Sequence, residues 1–519
     1  MTNAAARVRL RKAVEPLVLA IDIGSTASRG DVFDASGRPL RGGRVKVPHH
    51  FTSRLDGTSE IDPDAVVAEV EQIITTFANR PVAERIGAVA LDTFASSLVG
   101  VTADRKAKTP CFTYADSRCA QQVLQPRREL DELEVQQRTG CRLHTSYLAP
   151  RLRWLHETAP EMFAAVRHWM SLGEYVYLRL LGVTAAGTST AAWTGLLDRR
   201  TGDWDVELLN ACQISPNLLS EIRDPDRPIR DVAAAVGRRW PALAGALWFP
   251  VVADGFSSNV GVGALDESTM AVAAATSGAM RVLVTGVPDN LPAGLWCYRV
   301  DASRSLLGGA VNDVGRAVTW LTSTVQIPTE ANLDDLLLLP PELGTPLVLP
   351  FLTGERSTGW AADARAVVSG VSAGTTGAML FRGTMEGIAM SYARIAAQLH
   401  DVAGDTKQIL ASGRVTQDSP ALLQVVADVL QTPVVPIMMK RTTLRGTALI
   451  ALEVLAPDVV RAEPMTGDAR WPVEDRAPYY TARQQLFQAF YDAVIAAPTG
   501  AARRAASKPR RAPSKQRRK

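Results

Sequence analysis

The 519-residue chain reads as an α/β protein whose two halves face each other across a cleft. Three observations predict this. An apolar run at 17–21 passes through Asp22-Ile23-Gly24-Ser25-Thr26 into a second extended run at 27–34, a strand, a tight turn and a strand. The same device returns at 270–284, where Thr276-Ser277-Gly278 forms the turn. Around both hairpins, short apolar runs alternate with stretches of helical spacing, the pattern of layered α/β architecture.

Each hairpin turn points backbone N–H groups and hydroxyls at one spot, which suits a phosphate. Gly24, Ser25 and Thr26 in the first turn and Thr276, Ser277 and Gly278 in the second are therefore candidate phosphate ligands. Asp22, at the end of its strand, is placed to hold a Mg²⁺ ion or its waters. An ordinary hairpin turn is the alternative at either position. The recurrence points to two related domains gripping one nucleotide from opposite sides.

Between the hairpins, residues 61–77 have helical spacing, with Asp62-Pro63 as cap and first turn. Residues 86–91 form a short buried strand that ends at Asp92, and 98–101 another, followed by an Asp104-Arg105 turn. Residues 117–181 are mainly helical, and 182–205 read as loop with short strands. A second beginning comes at 250–255, followed by a helical segment at 256–264. Helices are expected at 312–323, 374–401, 419–431 and 446–455, with strands at 408–411 and 433–437. Four units result: a flexible leader at 1–16, domains at 17–250 and 251–497, and a disordered tail at 498–519.

With 46% hydrophobic and 21% charged residues, the chain has ample core. The net charge of +4 hides an asymmetry: residues 503–519 hold nine basic residues and no acidic one, leaving the rest at −5. That tail has no aromatic residues to stack on bases, so it reads as solvated, and nucleic acid is not an expected partner. No apolar run reaches the roughly 18 residues of a membrane span, and the basic N-terminus precedes no cleavage site of signal-peptide type. Five cysteines without a CxxC pair suit a reducing cytoplasmic setting, and the six histidines have no metal-site spacing. A homodimer is left open.

No GxxxxGK[ST] loop, GxSxG elbow or usable GxGxxG fingerprint occurs. The remaining chemistry rests on isolated acids and small-residue corners. Asp254 ends an apolar run and precedes Gly255, where it could accept a proton from a hydroxyl attacking a γ-phosphate, or simply cap a helix. Asp116 and Arg118 could grip vicinal hydroxyls or a carboxylate, or form a surface salt bridge. Gly308-Gly309 and Ser412-Gly413-Arg414 read as corners that admit a nucleotide's phosphates and ribose, or as simple turns.

In order along the chain, these segments resemble the FGGY carbohydrate-kinase family of the actin/hexokinase/Hsp70 superfamily, from about residue 17 to about residue 496. Asp22-Ile23-Gly24-Ser25-Thr26 resembles its first phosphate motif, with Arg29 where a Lys is common. Ala253-Asp254-Gly255 is similar to the catalytic-base segment, and 275–282 to the second phosphate motif. Gly354-Glu355-Arg356-Ser357 and 370–386 resemble the C-terminal signature, while 424–434 and Gly446-Thr447-Ala448 match the segments after the adenosine motif. Gluconokinase-type members are most alike. Their substrate loop is matched by 92–98, which nominates Phe94, Ser96 and Ser97, and Tyr114-Ala115-Asp116-Ser117-Arg118 matches their Asp-x-Arg element. Ser171-Leu172-Gly173-Glu174-Tyr175 and Gly202-Asp203-Trp204-Asp205 also fit.

Two departures stand out. Ala95-Ser96 replaces a Trp-His pair, which opens the pocket, and Ala411-Ser412-Gly413 replaces three glycines, which bears on nucleotide preference. The resemblance implies two actin-like, ribonuclease H-like domains, ATP and Mg²⁺, and transfer of phosphate to a hydroxyl of a sugar, sugar acid or polyol. Gluconate is the first expectation for the acceptor and a pentulose such as xylulose the alternative. A non-catalytic sugar-binding protein on the same fold is the reading from another class.

Overall fold

The computed structural model describes residues 6–230, 232–327 and 332–496. The first hairpin forms as expected: β1 (Leu17–Ile23) and β2 (Ala27–Phe33) pair antiparallel, and the Gly24 N–H donates to the Ala27 carbonyl to close the turn. β3 (Pro39–Pro48) adds to β2, while β4 (Ile86–Thr93) lies parallel to β1 on its other side. Short strands β5 (Leu247–Trp248) and β6 (Val252–Ala253) run parallel to β4 at the edge. All of β1 is buried because both faces are covered.

On one face lies α1 (Pro63–Ala78), where Asp62 accepts the Asp64 N–H and Pro63 opens the first turn. Its buried stripe of Val66, Val70, Ile73, Ile74 and Phe77 has helical spacing. Ile73 packs onto Gly30 of β2 so closely that a Cβ there would lie 2.5 Å from the isoleucine methyl.

The second domain repeats the plan. β7 (Thr269–Ala274) and β8 (Gly278–Thr285) form the second hairpin; β9 (Trp296–Arg299) and β10 (Arg304–Val311) continue it, with β10 against β8 and β9 at the edge. After α3 (Gly315–Thr324) and the long α4 (Gly377–Ala403), β11 (Gln408–Ser412) joins β7 in parallel. α5 (Pro420–Leu430) then leads to β12 (Val434–Pro436) beside β11. The first sheet thus runs β3-β2-β1-β4-β5 and the second β9-β10-β8-β7-β11-β12, each with antiparallel strands on one side of its first strand and parallel strands on the other.

The domains meet where α2 (Asp254–Val262) crosses α6 (Thr442–Leu455). The crossing runs through two glycines. A Cβ on Gly261 would lie 1.8 Å from the Thr442 carbonyl, and one on Gly446 would lie 1.7 Å from the Ser257 carbonyl.

Three expectations need correction. Residues 6–16 are no loose leader: Val8 bridges to Leu40, Val8, Leu10 and Ala13 pack on the first core, and Arg7 pairs with Asp31 at 2.8 Å. Gly308 and Gly309 sit inside β10 rather than at a corner. Trp296 and Ile395 pack where their side chains would be, at 2.5 and 2.9 Å from an added Cβ. The 182–205 stretch contains a buried helix, Thr188–Trp193. The basic tail expected at 498–519 lies outside the described residues. Among the described residues no helix is long and apolar enough to cross a membrane.

Candidate active site

Strand register builds the centre of the cleft. Asp22 of β1 lies directly opposite Asp92 of β4, and β6 pairs with the same end of β4. Asp254 follows β6 as the first residue of α2. Three acids therefore gather at the C-terminal ends of parallel strands, where α/β sheets bind ligands. Burial pushes the carboxyl of Asp22 up, although Arg29 and Asp92 oppose it. Burial, followed by the charge of Asp22, holds Asp92 well above the usual carboxylate range. Two carboxyls brought this close oppose each other's charge, and the one held further above the usual range is Asp92. Its Oδ2 also accepts the Thr447 hydroxyl at 2.5 Å, while Oδ1 is buried without a partner.

Asp254 is not a helix cap, since Ala253 holds that position. Its Oδ1 accepts the Gly255 N–H at 2.8 Å. Burial and then the charge of Asp22 raise its pKa to about 6, close to the pH where a general base works best.

Asp254 also floors a cavity of ≈ 190 Å³ lined by Ser96, Tyr114, His144, Tyr147, Trp193, Trp296, Tyr298, Arg356 and Trp360. This is smaller than the roughly 300 Å³ where drug-sized sites begin and suits one small polyhydroxylated molecule. Both domains build its walls. Trp193 stacks on Tyr298 at 3.8 Å, Tyr298 on Trp296 at 4.5 Å, and the Tyr147 and Tyr298 hydroxyls meet at 2.7 Å. His144 accepts the Ser146 N–H at Nδ1, and burial with Arg356 nearby lowers its pKa to about 3, so the ring is neutral and its other nitrogen carries the proton. The imidazole and indoles absent from the 95–96 loop are thus present in the cavity, from His144, Trp193, Trp296 and Trp360.

The first hairpin turn leaves Ser25 and Thr26 exposed at its tip. Arg29 donates to Asp22 at 3.1 Å and to Thr26 Oγ1 at 3.0 Å. Behind the turn, His49 donates from one nitrogen to the Gly24 carbonyl and from the other to Glu69, each at 2.8 Å. Burial disfavours its charge, but the bonds to Glu69 and to the Gly24 carbonyl outweigh it and raise its pKa. In the second turn, Thr276 and Ser277 are exposed. The Val314 and Arg316 N–H groups donate to the Thr276 carbonyl, which docks the start of α3 on the hairpin.

There a second cavity of ≈ 470 Å³ opens, walled by Val318, Leu333, Phe381, Met385 and Val415, with Thr276, Gly315, Thr319, Asp334, Arg414 and Ser419 at its polar positions. It has the size and apolar walls of a nucleotide site. Gly413, with φ of 111°, would set a Cβ 2.3 Å from the Ala274 carbonyl, so only glycine fits there. Ser412 reaches back to the Val272 carbonyl at 3.5 Å, and Arg414 pairs with Asp418 at 2.9 Å.

Four expected substrate contacts lie away from the cavity lining. The Asp116 carboxylate is buried; it accepts the Ser59 N–H at 3.0 Å and pairs with Arg118 at 2.6 Å. Arg118 also bonds Glu60 and stacks on Trp154 at 4.7 Å. Ser97 Oγ accepts the Leu172 N–H at 3.0 Å, which docks a helix start. Phe94 is buried edge-on to Phe51 at 5.1 Å and to Tyr114 at 6.3 Å. Of the three residues nominated in the 92–98 loop Ser96 lines the cavity, beside Ala95, and its hydroxyl donates to the Trp193 carbonyl at 2.6 Å. Sequence reading passed over Asp92, although its place at the end of an apolar strand matched that of Asp22. It also passed over the cavity's aromatic residues, which no local motif links.

Among the described residues no three acidic, imidazole or thiol side chains converge tightly enough to hold a metal by themselves. Mg²⁺ does not demand that, since it keeps waters and takes one or two carboxylates plus substrate phosphates. Asp22 and the unpartnered Oδ1 of Asp92 fit such an open donor set.

A doubled α/β fold, paired phosphate-type turns and an acid at the floor of an aromatic cavity define a phosphotransferase acting on small hydroxylated molecules. The chain belongs to the FGGY family of carbohydrate kinases, whose N-terminal domain matches residues 17–261 and whose C-terminal domain matches residues 270–453. It is 24% identical to a gluconokinase of Bacillus subtilis (strain 168), over 91% of this chain and 94% of the relative. The crystal structure of gluconate kinase from Lactobacillus acidophilus superposes with a TM-score of 0.85 at 25% identity, covering 92% of this chain and 98% of that one. The ligand-bound xylulose kinase from the same species superposes with a TM-score of 0.84 at 25% identity and the same coverages. Family and fold agree with the expectation of two actin-like domains.

Proposed function

We propose that this carbohydrate kinase transfers the γ-phosphoryl group of ATP to a hydroxyl of a sugar acid of the gluconate type. The observation that carries the reading is the position of Asp254, which floors the aromatic cavity and stands beside the Asp22–Asp92 pair. The likeness to gluconokinases along nearly the whole chain supports the acceptor class.

In this reading the acceptor lies among the rings of the cavity, where the aromatic faces cover its C–H groups and the neutral His144 donates to a hydroxyl. Asp254 accepts the proton of the attacking hydroxyl as the O–P bond forms. Gly24, Ser25, Thr26 and Arg29 hold phosphate oxygens from one side and Thr276, Ser277 and Gly278 from the other. Gly315, Thr319, Ser412, Gly413 and Arg414 border the nucleoside. Asp22, with Asp92 behind it, holds Mg²⁺, whose charge offsets that of the phosphates. Approach of the two domains excludes water and so limits ATP hydrolysis. The five buried thiols suit a cytoplasmic enzyme.

A neutral pentulose is the second reading, favoured by the equal coverage of the xylulose kinase structure. A coupled assay of ADP release separates them: gluconate is expected to give the highest kcat/KM, above xylulose and glycerol. ADP release that no sugar, sugar acid or polyol stimulates would end the kinase assignment of this site.

A further inference from the structure

We propose that Arg281 and Arg356 together read a carboxylate on the substrate and so select a polyhydroxylated monocarboxylate over a neutral polyol of the same length. This rests on the kinase reading above and narrows it. Arg281 lies in β8 directly opposite Gly308 of β10, which in turn lies opposite Trp296 of β9. Directly paired residues share a sheet face, so Arg281 stands on the face that presents Trp296, Tyr298 and Ala310 to the cavity. Its neighbours Met280 and Val282 point the other way, into the core with α4.

Other buried arginines of this protein have at least one partner for the guanidinium, although single nitrogens of Arg151, Arg382 and Arg445 are also left without an acceptor. Arg483 pairs with Glu386, Arg476 with Asp428 and Arg138 with Asp205, while Arg199 and Arg445 bond backbone carbonyls. Arg281 is different. Among the described residues its side chain has no hydrogen bond and no ion pair, and its Nε is buried without an acceptor. Asp254 acts on it only from beyond ion-pair distance.

Arg356 lines the cavity itself, and among the described residues the one side-chain partner of its guanidinium is Ser146 at 3.2 Å. Glu355 beside it is already engaged by Arg394 at 2.7 Å, by Tyr491 at 2.5 Å and by two backbone N–H groups. That network fixes the loop without neutralising Arg356.

Arg356 in the cavity lining and Arg281, on the sheet face that Trp296 and Tyr298 share, thus set two guanidinium groups against the carboxylate of Asp254, with His144 neutral. A buried, unpaired cation is costly, and a carboxylate offers the two-pronged acceptor that guanidinium prefers. A substrate carrying one negative charge removes the excess; a neutral one leaves it buried.

Isothermal titration calorimetry and steady-state kinetics with gluconate, and with glucitol, in which a CH₂OH group replaces the carboxylate, test this in wild type, Arg281→Gln and Arg356→Gln. Wild type is expected to favour gluconate, and each variant to weaken gluconate binding by about 10- to 100-fold while glucitol changes by less than about threefold. The Tm of Arg281→Gln should equal or exceed that of wild type, because an unpaired buried charge is removed. Equal losses on both compounds overturn the proposal and reassign the arginines to the phosphoryl group or to packing. Wild type binding glucitol as tightly as gluconate also overturns it, while leaving the kinase reading intact. An Asp254→Asn enzyme with full turnover ends the proposed role of Asp254, and calorimetric selectivity for gluconate lost in Arg281→Gln would still uphold the role of the arginines.

Discussion

The base proposed at Asp254 can act only when ionised, and its surroundings resist ionisation. With its pKa raised to about 6, kcat/KM is expected to fall as the pH drops through about 6 and to level off above it. Asp254→Asn should lower kcat by at least about 10²-fold and abolish that limb of the profile. Stability should move the other way. A carboxyl with a raised native pKa binds its proton more tightly folded than unfolded, so its contribution is fully present below the unfolded value near 4 and lost as pH rises through about 6. The uncharged amide escapes that loss, so Asp254→Asn should melt at or above wild type at pH 8, with the gap closing toward pH 4. A variant that melts well below wild type at pH 8 would mean that the carboxylate serves the fold and not the reaction. Asp254 was legible in the sequence because strand end, acid and glycine are contiguous. Asp116 and Arg118 were equally contiguous, yet they bond each other, since a short Asp-x-Arg spacing serves a salt bridge as readily as a ligand.

Elements were legible where the signal is local. The two hairpins, the Asp62-capped helix and the strand ending at Asp92 needed only their own residues. Gly308-Gly309 misled for the same reason. Glycine in sequence suggests a turn, but here it makes room in mid-strand for Trp296 and Ile395, partners set by tertiary packing. The cavity draws on residues from 95 to 360, so no window of sequence contains it. The crossing of α2 and α6 carries the clearest prediction at this scale. Gly446→Ala would push a methyl against the Ser257 carbonyl and force apart the helices that join the domains. Overpacking of this kind costs about 1–3 kcal/mol. The same crossing supports Thr447, which bonds Asp92, so kcat should fall together with Tm. A Gly446→Ala enzyme that melts like wild type would show that the helices separate freely and that the close crossing constrains nothing.

At the scale of the whole molecule, the cleft is tied together at its sugar end as well as at the α2–α6 crossing. Gln136, in the first domain, donates to the Pro292 and Leu295 carbonyls of the second at 3.1 and 2.6 Å. Gln137 donates to the Leu291 carbonyl at 2.7 Å, and Arg199 to the Pro288 carbonyl at 2.5 Å. The Cys297 N–H of β9 donates to the Gly140 carbonyl at 2.9 Å, which carries backbone pairing across the domain boundary. These ties lie beside Trp296 and Tyr298, so they hold the cavity proposed for the sugar assembled before any ligand arrives. The cavity proposed for the nucleotide, by contrast, is lined by second-domain residues alone. Sugar affinity should therefore depend on the inter-domain ties and nucleotide affinity should not. Gln136→Ala strands the buried Leu295 carbonyl, while the Pro292 carbonyl keeps the Leu295 N–H, at a cost of about 1–3 kcal/mol, so the KM for the sugar substrate should rise about fivefold or more, with the KM for ATP changing by less than about twofold. Trp193, Trp296 and Trp360 in the cavity make tryptophan fluorescence a direct reading of sugar binding, and the same weakening should appear there without ATP. Parallel rises in both constants would mean that the two ends of the cleft open as one, and that the sugar cavity is assembled by closure instead of waiting for its ligand.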